Sequence, residues 1–170
     1  SLNFVSGVFD VRRDNDLWTV GVNKFNYGNR DIVDESQISL AFKYSANSFE
    51  SFYVNADYLR LDEVVKVVTD NHLLQMQNEK YLEKLNVQGE LQKFSMTWDA
   101  NQLHQFKAAF KNVGMSAWNK MPDIKGLSGN VNYDKNKGYV SLSSATSIVG
   151  FPDLFRDAFK LNDLSADIVF

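Results

Sequence analysis

Cysteine is absent from the 170-residue chain, and histidine occurs only as His72 and His104. A disulfide framework, a cysteine nucleophile and a thiolate metal site are therefore excluded, and two isolated histidines offer no metal-ligand spacing. His104 shares a strand side with Phe106 and Phe110 and reads as a strand-edge histidine rather than a ligand. Basic runs are missing too: 18 Lys and Arg against 21 Asp and Glu give a net charge of -3, which argues against nucleic acid as a partner. Apolar runs are only a few residues long, too short for a membrane-spanning helix, and the first residues carry no signal-peptide pattern. Walker, dinucleotide and EF-hand patterns do not occur. Gly126-Leu127-Ser128-Gly129 holds half of a nucleophile elbow but precedes a hairpin, and reads as a turn. The carboxylates Asp14 with Asp16, Asp31 with Asp34 and Glu35, and Asp62 with Glu63 fall in a turn, a polar loop and a first helical turn, where acidic residues are expected anyway. The Asp31 loop lacks regular calcium-ligand spacing. The expectation is a non-enzyme with no cofactor and no metal.

What the chain has instead is aromatic side chains, 14% of all residues and 13 of them Phe, set in stretches of period two. Val5, Phe9 and Val11 alternate with polar residues up to the turn Arg13-Asp14-Asn15-Asp16, and Trp18, Val20 and Val22 repeat the pattern. After a polar loop over 26–37 come Ile38, Leu40, Phe42 and Tyr44, then Phe52, Val54 and Ala56, so that 1–58 fits a β-meander. The period then lengthens: Leu61, Val64, Val65 and Val68 form one helical stripe, and a second helix is expected from about Asn71 to Lys84, with Leu74, Tyr81, Leu82 and Leu85 inward and Glu79 on a solvated face. This helical insertion covers 59–86. From 87 to 170 strands return, with Phe94, Met96 and Trp98 in one, Phe106, Ala108 and Phe110 in the next. Ser128 to Tyr133 and Tyr139 to Ser143 flank the polar turn Asp134-Lys135-Asn136-Lys137-Gly138, a hairpin. Pro152 excludes a central strand in the loop that follows, and Leu164, Ala166, Ile168 and Phe170 line one side of a last strand.

The fold class is therefore mainly β (α+β): about nine strands, with two helices inserted around residues 60–85. Nine strands at about 4.8 Å spacing make a sheet roughly 43 Å wide, of which two helices of about 10 Å diameter shield roughly 20 Å. About half of the apolar side needs another cover: barrel closure, a second sheet, further chain or an apolar ligand. Phe4-Val5 and Ile168-Val169-Phe170 put apolar strand residues at both ends of the sequence, as expected of a segment of a longer chain.

Trp118, then Met121-Pro122-Asp123-Ile124-Lys125-Gly126-Leu127-Ser128-Gly129, the hairpin, Phe151-Pro152-Asp153-Leu154-Phe155-Arg156 and Leu161-Asn162-Asp163-Leu164-Ser165-Ala166 together resemble the YhdP-type members of the AsmA-like envelope proteins. The resemblance is strongest over the last third of the chain and thin before Leu85. It implies a curved, largely antiparallel sheet forming an open groove, in a periplasmic protein anchored in the inner membrane that carries phospholipid between the two membranes of a Gram-negative envelope. Its implied partners are phospholipid, the flanking segments of the same chain, and other envelope proteins.

On that expectation the lipid-binding residues are Trp18, Phe42, Phe52, Phe94, Met96, Trp98, Phe106, Phe110, Leu142 and Ile168, which belong to the apolar sides of different strands. The competing expectation is a structural scaffold domain of the envelope whose core seals itself and whose binding, if any, uses the aromatic loop Phe151 to Phe155.

Overall fold

The structure, a computed structural model, describes residues 5–27, 36–45, 48–70, 76–99 and 102–170. Four strands come first: β1 (Val5–Asp14), β2 (Leu17–Tyr27), β3 (Ser36–Ser45) and β4 (Ser48–Arg60). Two ten-residue helices follow, α1 (Leu61–Asp70) and α2 (Met76–Leu85). Five more strands complete the chain: β5 (Gln88–Asp99), β6 (Gln102–Met115), β7 (Asp123–Asp134), β8 (Lys137–Gly150) and β9 (Phe159–Val169). All nine strands lie in one sheet in the order of the chain, each antiparallel to its neighbours, and β1 and β9 form its two open edges. Barrel closure and a second packed sheet are thereby ruled out as the cover for the apolar side. Neither helix is long enough to cross a membrane.

The two ends of the sheet differ. At one end the hairpins are tight: Asn15 (φ 52°) turns β1 into β2, and Lys135 (φ 42°) with Asn136 (φ 83°) has the paired positive φ of a type I′ turn between β7 and β8. At the other end lie the long connections: the two helices between β4 and β5, residues 116–122 between β6 and β7, and residues 151–158 between β8 and β9. There α1 packs on β4, β5 and α2, while the Tyr81 ring of α2 meets Trp118 at 4.8 Å and the Ser116 amide donates to the Leu85 carbonyl.

Bulges interrupt the ladders along a line that crosses β5 to β8. Register shifts fall beside Lys93 in β5 (φ 51°), Asn112 in β6 (φ 51°) and Gly126 in β7 (φ 77°). A bulge bends its strand and raises local twist, so a row of them curves the sheet. The backbone groups freed there are taken up by serines. The Asn112 amide donates to Ser128 Oγ (3.0 Å), and the Ser128 amide donates to Ser144 Oγ (2.8 Å). Ser144 Oγ donates back to the Ser128 carbonyl (3.2 Å), and Ser147 Oγ donates to the Gly126 carbonyl (3.2 Å). The stretch Gly126 to Gly129, expected to be a turn, therefore runs inside β7: the positive φ of Gly126 serves a bulge, and the Ser128 hydroxyl is committed to holding the next one.

Other expectations shift in detail. The α1 stripe is rotated, with Leu61, Val65 and Val68 half-buried and Val64 exposed. Glu79, expected on the solvated face of α2, is only 7% exposed, and no buried side-chain nitrogen or oxygen among the described residues lacks a hydrogen-bond partner. The Asp31, Asp34 and Glu35 loop, His72, Leu74 and the start of the second helix at Asn71 lie outside the described residues, as do Ala100 and Asn101 of the β5–β6 turn.

Ser144→Ala should destabilise the protein by about 1–3 kcal/mol, because it leaves the half-buried Ser128 amide and carbonyl without the Ser144 hydroxyl. Ser143→Ala, at an exposed neighbour, should stay within about 0.5 kcal/mol; urea unfolding followed by circular dichroism compares the two.

Candidate functional site

Residues directly opposite in an antiparallel ladder point to the same side, and alternate residues along a strand do likewise. Following the pairs across the sheet therefore maps its faces. One row runs Trp18, Phe42, Phe52, Trp98 and Leu103. The next runs Val11, Val20, Leu40, Val54, Met96, Phe106 and Tyr133. A third joins Phe9, Val22, Ile38, Ala56 and Phe94. On the later strands Ala108, Val131, Val140 and Ile168 line up, as do Leu91, Phe110, Gly129, Leu142 and Ala166. All ten expected lipid-binding residues thus fall on one apolar face that crosses β1 to β9. The rows between them are largely polar, for example Asp10, Gly21, Ser39, Asn55, Ser95, Lys107 and Asn132.

Burial along this face is uneven. Only Ala56, Phe94 and Ala108 are buried hydrophobic residues among those described, and Ile38, Val54, Leu59, Leu91, Met96, Phe106 and Val131 pack around them. Phe94, 7% exposed, meets Phe106 edge-on at 5.6 Å. Away from that cluster the face opens: Trp18, Phe42, Phe52, Trp98, Phe110 and Leu142 are half-buried, and Ile168 is 47% exposed. The accessible surface of 11680 Å² exceeds by roughly 3000 Å² the area expected for a compact monomer of this mass. The face is a surface, not a sealed core.

Sequence reasoning missed Leu91, and the contact with Gly138 made by Phe170, a residue it does place on the apolar side. Leu91 falls out of phase with Phe94, Met96 and Trp98, yet the bulge at Lys93 brings it to the same cluster. Phe170 stacks its ring over Gly138, and the two residues exchange backbone hydrogen bonds of 2.7 and 2.9 Å. A Cβ on residue 138 would overlap that ring, so the glycine is required by the aromatic cover. His104 sits where β6 carries one residue more than β5, with Leu103 rather than His104 opposite Trp98. The strict alternation that would align it with Phe106 is broken there.

Charges lie at the margins. Lys43 Nζ and Glu50 Oε2 are 2.6 Å apart, and this hydrogen bond, with the Glu50 charge, raises the Lys43 pKa. At the helix end Arg60 holds Asp62 (2.7 Å) and Glu63 (3.3 Å); burial lowers its pKa, but those two carboxylates outweigh the burial and the net shift is upward. On β8 and β9 the Tyr139 hydroxyl donates to Asp167 Oδ1 at 2.6 Å, which lowers the Asp167 pKa and raises that of Tyr139. Among the described residues no cluster of three histidine or acidic side chains could hold a metal. Two clefts of about 340 Å³ and one of about 310 Å³ open at the helix and long-loop end, the most apolar of them between Asn119–Met121 and Phe151–Leu154. Beside it Phe155 meets both Phe151 (6.4 Å) and Phe159 (5.1 Å) edge-on.

Phe94→Ala should cost about 3–5 kcal/mol, as for a ring removed from a packed core. Leu142→Ala, between Gly129 and Ala166, should cost clearly less; equilibrium denaturation separates the part of the face that holds the sheet together from the part that only lines it.

No curated protein and no solved structure matches the chain. A family model described as YhdP protein matches residues 1–170, the whole length, so the chain belongs to the YhdP protein family.

Proposed function

We propose that this sheet is one stretch of a lipid conduit between the inner and outer membranes of a Gram-negative envelope, holding phospholipid acyl chains on its apolar face without reacting with them. The observation that carries the reading is the continuity of that face across nine strands of an open sheet, with three buried hydrophobic residues among those described. Apolar contact is non-directional and scales with area, so such a surface accepts acyl chains of varied structure and lets them slide. Membership of the YhdP family supports the envelope setting. In this reading the full-length protein is anchored in the inner membrane and this segment lies in the periplasm. The open edges at β1 and β9 are covered by flanking segments of the same chain, because an unpaired strand edge otherwise invites non-specific pairing. The chain is not an enzyme in this account: the serines at the bulges are bound to backbone.

The closed cluster of Phe94, Ala56 and Ala108 favours a second reading, a scaffold whose apolar face is covered by other protein and carries no lipid. Native mass spectrometry of the protein purified from a Gram-negative host, with lipid extraction of the same sample, decides between them. The conduit reading expects co-purified phospholipid that is lost in Leu142→Asp while far-ultraviolet circular dichroism keeps its strand signal. A lipid-free mass that persists after incubation with phospholipid vesicles overturns it.

A further inference from the structure

The apolar face has a direction along its strands. At its hairpin margin Trp18 stacks on Phe42 (6.2 Å, 5° between planes) and Phe52 on Trp98 (6.0 Å, 9°), a row of four rings on four adjacent strands with an indole at each end. Trp18 lies one residue inside the start of β2 and Trp98 one residue inside the end of β5. Among the described residues no row of stacked rings crosses the strands at the opposite margin, where Leu59, Leu91 and Phe110 lie; the rings described at that end, Tyr81 with Trp118 and Phe155 with Phe151 and Phe159, gather at the helix and the long connections. Indole is apolar over most of its surface and carries one N–H donor, which is why tryptophan collects where hydrocarbon gives way to polar groups. The guanidinium of Arg13 lies 5.0 Å over the Trp18 ring, and its Nε donates to the neutral Asn15 carbonyl. A planar guanidinium matches two phosphate oxygens at once. At the helix end Arg60 is already held by Asp62 and Glu63, and Glu90 lines the same cleft.

The distances suit one lipid molecule. Trp98 and Leu91 are seven residues apart on β5, roughly 23 Å at about 3.3 Å per residue, against about 15 Å for one leaflet of a bilayer's hydrocarbon core. We propose, resting on the conduit reading, that a glycerophospholipid lies along the strands with its ester and phosphate region at the Trp18–Trp98 margin, its phosphate beside Arg13 and its chain ends toward Leu91 and Phe110. The row of rings is then a depth marker that keeps headgroups at the hairpin wall while the chains move from strand to strand.

The hairpin margin carries both signs of charge, Arg13 among Asp14, Asp16 and Asp99, so the probe is the zwitterionic phosphatidylethanolamine. Two photoreactive versions are incubated with the protein, one with a diazirine close to the acyl ester and one with it near the terminal methyl, and labelled peptides are read by mass spectrometry. The ester-proximal label should insert several-fold more into peptides carrying Trp18, Phe42, Phe52 and Trp98, and the terminal label into those carrying Leu91 and Phe110. Arg13→Gln, at an exposed position, should blunt that contrast without loss of strand signal. Equal or reversed labelling by the two probes overturns the orientation while leaving the conduit standing. Absence of labelling from both probes overturns the conduit reading, and the orientation with it.

Discussion

Opposed residues in an antiparallel ladder cannot choose their side of the sheet independently, so one register error between two strands turns the apolar residues of every later strand the wrong way. Four successive ladders here hold Trp18, Phe42, Phe52 and Trp98 in one row and Val20, Leu40, Val54, Met96 and Phe106 in the next. Everything else about the molecule follows from that agreement. An apolar face this wide exceeds what two ten-residue helices can shield, and the helices pack only at one end, against β4 and β5. The surface that results is neither a core nor an accident of exposed residues.

Bending such a sheet requires extra residues, and each one leaves backbone groups without ladder partners. The protein places serines at those points. Ser128 serves β6, Ser144 serves β7, and Ser147, fully buried, serves Gly126. A hydroxyl can donate and accept at once, which a bulge needs because it frees both an N–H and a C=O. Curvature and polar satisfaction are thus supplied by the same small side chains, which keep the apolar face free of larger polar groups.

Period two made most strands legible, since each strand alternates locally and the tight turns at Asn15 and Lys135–Asn136 announce themselves by composition. The helices were legible by period but not by rotation: α1 turns Val64 outward and α2 buries Glu79, because α2 is positioned by the Tyr81–Trp118 contact with a residue 37 positions later. Strand order and ring stacking were not legible, since Trp18 meets Phe42 through a register that no local pattern states. Bulges were the main source of error. The ones beside Lys93, Gly126 and His104 break alternation without a sequence signature of their own, so Leu91 went unrecognised and Gly126 to Gly129 passed for a turn. At the candidate site, the side on which each residue lies was readable in advance, but not which residues are closed in, as Phe94 is, and which stay open, as Ile168 does.

Strands that neighbour one another in space here are always neighbours in the chain. Every hydrogen-bonded seam is therefore joined by its own connection, and no strand is clamped by a partner distant in sequence. A pull along the chain would load these seams at their ends, opening hydrogen bonds one after another like a zip instead of shearing many together. Such a wall yields strand by strand under tension and can close again the same way, since each strand stays tethered beside its partner while apart.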